Sequence, residues 1–308
     1  MLICDPIDEY ESDYMKKIIA LFAIVIGLTY CSMSFASVII ETAHNFSAVK
    51  NLILNDKDPQ HTLLALDDDD TLTMMPCPSK THCQYLGGPA WFTWQSGLPA
   101  GNSDRIYSNF NQLLDINNII FGLSSMPVVE SDIPAILQTA HDLKMPMVVT
   151  SARGYQMIAA TEKQFSEDNI LNVIENSAVK TAKNKISYAG NYIPEGATRP
   201  VAYENGILYL AGQNKGLMLE DFLAKTGQTN NIHEIIFVDD ATKNVSDVAN
   251  AFANNSAIDV ISVHYAYLEK HKADFLTGKD SKKLQAAANA QWFGILRALK
   301  ENLPGLSI

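Results

Sequence analysis

The run Asp67-Asp68-Asp69-Asp70-Thr71-Leu72 follows directly on the apolar stretch His61–Leu66 (HTLLAL). Carboxylates two residues apart at the exit of a strand, here Asp67 and Asp69, can project together. One can attack an electrophilic phosphorus while the other protonates the leaving oxygen and later activates water. A carboxylate approaching a phosphate dianion brings like charges together, and a hard cation held by oxygen ligands relieves that repulsion. Asp239-Asp240, at the end of a second apolar run (EIIFV, 234–238), supplies carboxylates of the kind Mg2+ takes. A third run, Pro146–Thr150 (PMVVT), empties into Ser151-Ala152-Arg153-Gly154, and Lys215 stands at a helix entry after Gly212-Gln213-Asn214. A hydroxyl and an ammonium there are suited to phosphoryl oxygens.

Each of these signals also has a plainer reading. Four consecutive Asp can be a solvated charge run or a calcium loop. A calcium loop of the helix-loop-helix type needs Gly sixth and Glu twelfth, where this sequence has Leu72 and Pro78. Asp239-Asp240 alone fits a helix N-cap pair, with Asn244 either orienting it or beginning the helix. Thr150 can take the role of Ser151, Lys215 can be a solvated helix-start lysine, and Arg153 suits the surface as well as a substrate. The 7 His show no ligand spacing and read as structural.

The elements that must position these residues alternate. Periodicity predicts a helix over 42–54, a strand over 61–66, a helix from an Ser131 N-cap to about Leu143, a strand over 146–150 and a helix over 154–167. Asn205-Gly206 between Val201–Glu204 and Ile207–Ala211 predicts a hairpin, because both residues accept positive φ. A helix over 216–225, a strand over 234–238, a helix near 244–253, a strand over 259–264 and a final helix over 281–301 complete the chain. Strands apolar on both faces, alternating with helices, imply an α/β fold with a mainly parallel sheet and ligands at the carboxyl ends of its strands.

Taken in order, the strand exits resemble the four motifs of the haloacid dehalogenase (HAD) superfamily. Asp67-x-Asp69-x-Thr71-Leu72 resembles the first motif, Ser151 in Ser-x-Arg the second, Lys215-Gly216 the third and Asp239-Asp240 the fourth. The resemblance implies a Rossmann-like three-layer fold and a Mg2+-dependent phosphatase working through an aspartyl-phosphate on Asp67. It implies Asp69 as acid/base, Ser151 and Lys215 at the phosphoryl group, and a metal cage from Asp67, the carbonyl of Asp69, Asp239 and Asp240. The dehalogenase branch is disfavoured, since Asp69 supplies the acid/base that ester cleavage needs. Asp70 departs from the family, which often has glycine there, and adds charge near the phosphate site. A second reading is a secreted binding or effector protein that keeps the fold and has lost turnover.

From Thr71 to Ser151 is 80 residues, whereas a helix and a strand need about 30. The excess falls in 73–130, and in this superfamily an insertion there resembles a cap over the site. Its segment Trp91-Phe92-Thr93-Trp94 suits substrate contact or, residue for residue more readily, packing onto the core. Cys77 and Cys83, six apart, read as a small disulfide loop, against two free thiols or half of a metal site.

Lys16-Lys17 followed by the apolar Ile18–Thr29, with Ser34 and Ala36 as small residues, predicts a signal peptide over 1–36 cleaved after Ala36. Met15 suits initiation better than Met1, because Asp5 to Asp13 is acidic for such a segment. The alternative is an anchor over 18–40, long enough to span a bilayer. Either way residues after 40 are exported, to a periplasm or beyond, and a membrane partner follows only if the segment is uncleaved. The catalytic domain then occupies 37–308. Net charge −11, with 23 Lys+Arg against 34 Asp+Glu and no basic cluster longer than the pairs Lys16-Lys17 and Lys282-Lys283, argues against a nucleic-acid binder. The expected partner is a phosphorylated substrate, a small molecule or a phosphoprotein.

Overall fold

The structure, a computed structural model, describes residues 36–79, 82–180, 188–303 and 305–306. The expected signal peptide or anchor falls almost wholly outside them.

The chain builds strand β1 (Val38–Ala43), helix α1 (Phe46–Asn55), β2 (Thr62–Leu66), α2 (Pro89–Gly97), α3 (Phe110–Leu123), α4 (Ile133–Asp142) and β3 (Met147–Ser151). It continues with α5 (Ile158–Glu167), α6 (Leu171–Asn176), β4 (Tyr188–Tyr192), β5 (Val201–Glu204), β6 (Ile207–Tyr209) and α7 (Lys215–Thr226). The last elements are β7 (Glu234–Asp239), α8 (Thr242–Phe252), β8 (Asp259–Tyr265), α9 (Glu269–Leu276) and α10 (Ser281–Asn302). The strands form one sheet in the order β1-β8-β7-β2-β3-β6-β5-β4. It is parallel from β1 to β6 and antiparallel through β6, β5 and β4. This is the expected α/β, Rossmann-like three-layer fold.

β2 shows why both faces of its strand are apolar. Leu64 and Leu66 enter a core with Phe46, Val49, Ile136, Leu137 and Phe165 from α1, α4 and α5. Leu63 and Ala65 enter the opposite core with Met218, Phe222, Val245 and Val248 from α7 and α8. Alternation along the strand splits the apolar run between two helical layers.

The helix expected from 154 starts at Ile158 after a 3-10 turn, the strand expected over 207–211 ends at Tyr209, and two further boundaries differ for a visible reason. Residues 42 and 43 belong to strand β1, and the first helix starts after Asn45, whose side chain accepts from Ala48 N. Helical spacing in TAHNFSAVKNLIL ran on past a cap that already ended it. Asp132, not Ser131, occupies the N-cap position of α4, with Pro134 inside its first turn. The Asn205-Gly206 hairpin forms, with φ of 49° and 83° at the two residues.

Residues 73–130 leave the sheet and return to it at one place, where Thr73 pairs with Val128 and Leu72 O accepts from Val129 N. Between these points lies a third core: Trp91, Leu113, Ile116 and Phe121 pack with Phe275, Ala288 and Trp292 from the C-terminal helices. Trp91 is fully buried, Phe92 meets Phe110, and Trp94 meets Phe275 edge to face. All three aromatics therefore serve packing. Cys77 and Cys83 are joined by a disulfide.

Gly216 explains why glycine follows Lys215. A Cβ there would lie 2.3 Å from Asp247 O and 2.8 Å from Ala251 Cβ, so α7 and α8 approach closely only without a side chain. Gly216→Ala gains helix propensity of at most about 1 kcal/mol but overpacks this crossing. A net loss of roughly 1–2 kcal/mol is expected in urea denaturation; an unchanged or higher midpoint contradicts the packing argument.

Candidate active site

β7, β2 and β3 are adjacent at the centre of the sheet and run parallel, so their carboxyl ends open side by side. Leu66 stands level with Val238 on one side and Val149 on the other, and Asp67 N donates to Val238 O at 2.9 Å. Register alone thus brings the residues leaving the three strands together.

Asp67, Asp239 and Asp240 are buried, and one carboxylate oxygen from each lies within 4.8 Å of the others. Lys215 enters between them. Asn214 caps α7 by accepting from Leu217 N at 3.0 Å, which sets Lys215 in the first turn. Its Nζ bonds Asp67 Oδ1 and, at 2.7 Å, Asp239 Oδ2. The lysine is 1% exposed, so the reading of a solvated helix-start lysine is overturned. Burial pulls its pKa down, but the Asp239 and Asp67 carboxylates outweigh that and hold it above the ordinary lysine value. Asn244 donates to both oxygens of Asp239, at 3.0 and 3.1 Å, and so orients the carboxylate as well as opening α8. Thr71 Oγ1 donates to Asp67 Oδ2 at 3.1 Å and accepts from Asp240 N at 3.1 Å, tying the first carboxylate to the last.

Burial raises the Asp67 pKa well above the usual carboxylate range; the Asp239 and Asp240 charges add to this, and Lys215 opposes it. Burial also raises Asp240, with Lys272 opposing. Burial and mutual repulsion thus work against the charge on these carboxylates, which a bound cation would relieve. Three buried carboxylates whose oxygens come within 4.8 Å of one another fit a hard divalent ion such as Mg2+, which takes oxygen ligands.

Asp69 is held by a different cation from Asp67. Arg153 grips it with a fork, Nε to Oδ2 at 3.0 Å and Nη2 to Oδ1 at 2.7 Å. The same guanidinium lies 3.2 Å from Asp68 Oδ2, donates to Thr161 and Gln164 at 2.9 and 2.8 Å, and rests on the Phe121 ring. Arg153 is 3% exposed, so the surface role is overturned. Asp69 is not among the residues whose carboxylate oxygens come within 4.8 Å of one another in the Asp67, Asp239 and Asp240 group.

Ser151 lies buried at the end of β3, where its hydroxyl donates to Asp68 Oδ2 at 3.3 Å and accepts from Arg153 N at 3.2 Å. Thr150 Oγ1 turns back to Leu66 O at 3.3 Å, so of these two neighbours Ser151 is the one whose hydroxyl meets a carboxylate. Asp68, which sequence reasoning passed over, is fully buried between Ser151, Thr73 and Arg153. Burial raises its pKa to about 6 against the pull of Arg153.

Asp70 adopts a left-handed conformation, φ 65°, which Asp tolerates better than most residues and which glycine adopts freely. Its carboxyl is buried, and burial followed by the Asp240 charge raises its pKa well above the ordinary value. Lys272, from α9, offsets this excess. Its Nζ donates to Asp240 O at 3.0 Å and to Asp240 Oδ2 at 2.6 Å. Nothing in the spacing of EKHKADF marks Lys272. Beside it, His271 stacks on Tyr85 of the 73–130 segment at 4.4 Å, so the same helix meets both the insertion and the site.

Among the described residues no helix is long and apolar enough to cross a membrane. No curated protein sequence matches the chain significantly. Among solved structures, the crystal structure of cytosolic 5'-nucleotidase IIIB (cN-IIIB) bound to cytidine is similar at 14% identity and a TM-score of 0.29. That match covers 82% of this chain and 92% of the other. Residues 42–304 match the model of the family described as "Protein of unknown function (DUF2608)", and the chain belongs to that family.

Proposed function

We propose that this protein is an exported, Mg2+-dependent phosphatase of the HAD type, hydrolysing a phosphate monoester through an aspartyl-phosphate on Asp67. The observation that carries the reading is the buried group Asp67, Asp239 and Asp240 around Lys215, at the carboxyl ends of adjacent central strands.

In this mechanism a carboxylate oxygen of Asp67 attacks phosphorus as the bond to the leaving oxygen breaks, and Asp69 gives that oxygen its proton. Asp69 then takes a proton from water. The resulting hydroxide attacks phosphorus, inorganic phosphate leaves, and the Asp67 carboxylate is restored. Ser151 turns its hydroxyl from Asp68 to a phosphoryl oxygen, while Lys215 offsets the negative charge that gathers on Asp67. Asp67, Asp239, Asp240 and the main-chain oxygen of Asp69 would hold Mg2+, which supplies charge neutralisation between nucleophile and phosphate. Arg153 fixes the direction of the Asp69 carboxylate, and Lys272 fixes Asp240 through two bonds. Residues 73–130, packed with α9 and α10, serve as the cap that selects the substrate.

One observation favours a second reading, a secreted binding or effector protein with little turnover. Asp70 puts a further buried carboxyl, whose pKa is raised first by burial and then by the Asp240 charge, next to the run that holds Asp67 and Asp69, which works against a phosphate dianion there. Phosphate release from an aryl phosphate separates the two readings. The phosphatase reading expects release that needs Mg2+ and stops with excess EDTA. No release at any Mg2+ concentration, together with retained binding of a phosphate ester, supports the binding protein instead.

A further inference from the structure

At the opposite end of the sheet, the structure gathers three metal-ligating side chains that the catalytic reading does not use. His61 ends the short turn before β2, and His233 immediately precedes β7. They are 172 residues apart in sequence, yet His233 N donates to His61 O at 2.8 Å, continuing the parallel ladder between β2 and β7. Their imidazoles stack with centroids 5.1 Å apart and 23° between planes. Asp58 lies across both rings, with Oδ1 2.8 Å from His61 Nδ1 and Oδ2 4.0 Å from His233 Nδ1. One ligand atom from each residue falls within 4.8 Å of the others.

We propose that Asp58, His61 and His233 form a second cation site, taking zinc or another late first-row transition metal. Two imidazole nitrogens and one carboxylate oxygen suit zinc, nickel or copper; Mg2+ prefers an all-oxygen shell. Bonds of about 2.0–2.1 Å in a tetrahedral site put ligand atoms about 3.3 Å apart. The two separations from Asp58, 2.8 and 4.0 Å, bracket that value, and the ligand atoms of all three residues lie within 4.8 Å of one another, so side-chain rotations close the site and water takes the fourth position.

The backbone around the site is already fixed. Asp58 O accepts from His61 N at 2.9 Å and from Thr62 Oγ1 at 3.2 Å, while Asp58 N donates to Asp56 Oδ1 at 2.8 Å. His233 O accepts from Asp259 N at 2.8 Å, which ties in the start of β8. Acidic groups surround the three ligands. Glu234 follows His233 directly and feels the charges of Asp56 and Asp259, and Asp56 Oδ2 is buried without a hydrogen-bond partner. The field at this edge therefore favours a cation.

β2 and β7 are the strands that carry Asp67 and Asp239, and β2 separates the two ends by about 17 Å. A metal joining their starts would stabilise the sheet, because it binds the folded chain and not the unfolded one. It would leave the catalytic carboxylates untouched.

The test uses the full chain in excess Mg2+, without reductant so that Cys77 and Cys83 stay bonded. Zinc is added, the unbound metal is removed by gel filtration, and bound zinc is counted by mass spectrometry. The wild type should retain one equivalent more than the His61→Ala/His233→Ala double variant, and zinc should raise the melting temperature of the wild type alone. Equal zinc content and equal melting shifts in the two proteins would overturn the site. If the double variant fails to fold, the exposed single change His233→Gln carries the same comparison.

Discussion

Asp67→Asn is expected to release no phosphate above background, whereas Asp69→Asn should still accept a phosphoryl group and then stall. The first change removes the nucleophile and one charge of the cation cage together. Lys215 keeps its bond to Asp239, so the fold should survive, and an unchanged circular dichroism spectrum checks this. The second change leaves Asp67 in place and deletes the proton shuttle, a group worth about 10²–10⁴-fold. With an aryl phosphate whose leaving group needs little protonation, the first step proceeds and no base then activates water. Mass spectrometry of the quenched Asp69→Asn protein should find phosphate on Asp67. Wild-type turnover by Asp67→Asn, or full activity of the wild type in excess EDTA, would remove the aspartyl-phosphate mechanism.

Arg153→Met should produce a large loss of stability. The guanidinium is the cation beside both Asp68, wholly buried, and Asp69. Removing one partner of a buried pair while leaving the other charge uncompensated costs about 3–5 kcal/mol. Arg153→Lys keeps the charge but loses the fork on Asp69 and the bonds to Thr161 and Gln164, so it should recover part of the stability and little of the activity. The double variant Arg153→Met/Asp68→Asn should be more stable than Arg153→Met alone, since the buried carboxylate is gone. Urea denaturation reads all three. A midpoint for Arg153→Met within error of the wild type would show that Asp68 and Asp69 do not depend on this cation.

The legible part of the fold was the part written in short-range pattern. HTLLAL, PMVVT and EIIFV each place apolar residues on both faces of a strand and stop at a polar side chain, which is what a buried parallel strand and its carboxyl end require. The Asn205-Gly206 turn was equally local. β1 was missed because its exposed edge lacks the two-sided apolar signature: four of its six residues are exposed. Helices α2 and α3 went unassigned because their apolar faces serve a separate core completed from the far end of the chain.

The candidate site divides in the same way. Asp67, Ser151, Lys215 and Asp239 stand where strands or a helix begin or end, so their types and spacing suffice to single them out. Their partners do not follow from spacing. That Asp69 pairs with Arg153, that Lys272 returns from α9 to hold Asp240, and that His61 meets His233 depends on strand order and helix packing. Sequence by itself determined the residues at each strand exit, because strand period and chain breaks act over a few residues. Tertiary structure decided which side chains pair, because pairing across 32 to 172 positions arises only when burial brings distant segments together and desolvation makes an unpaired charge too costly to keep.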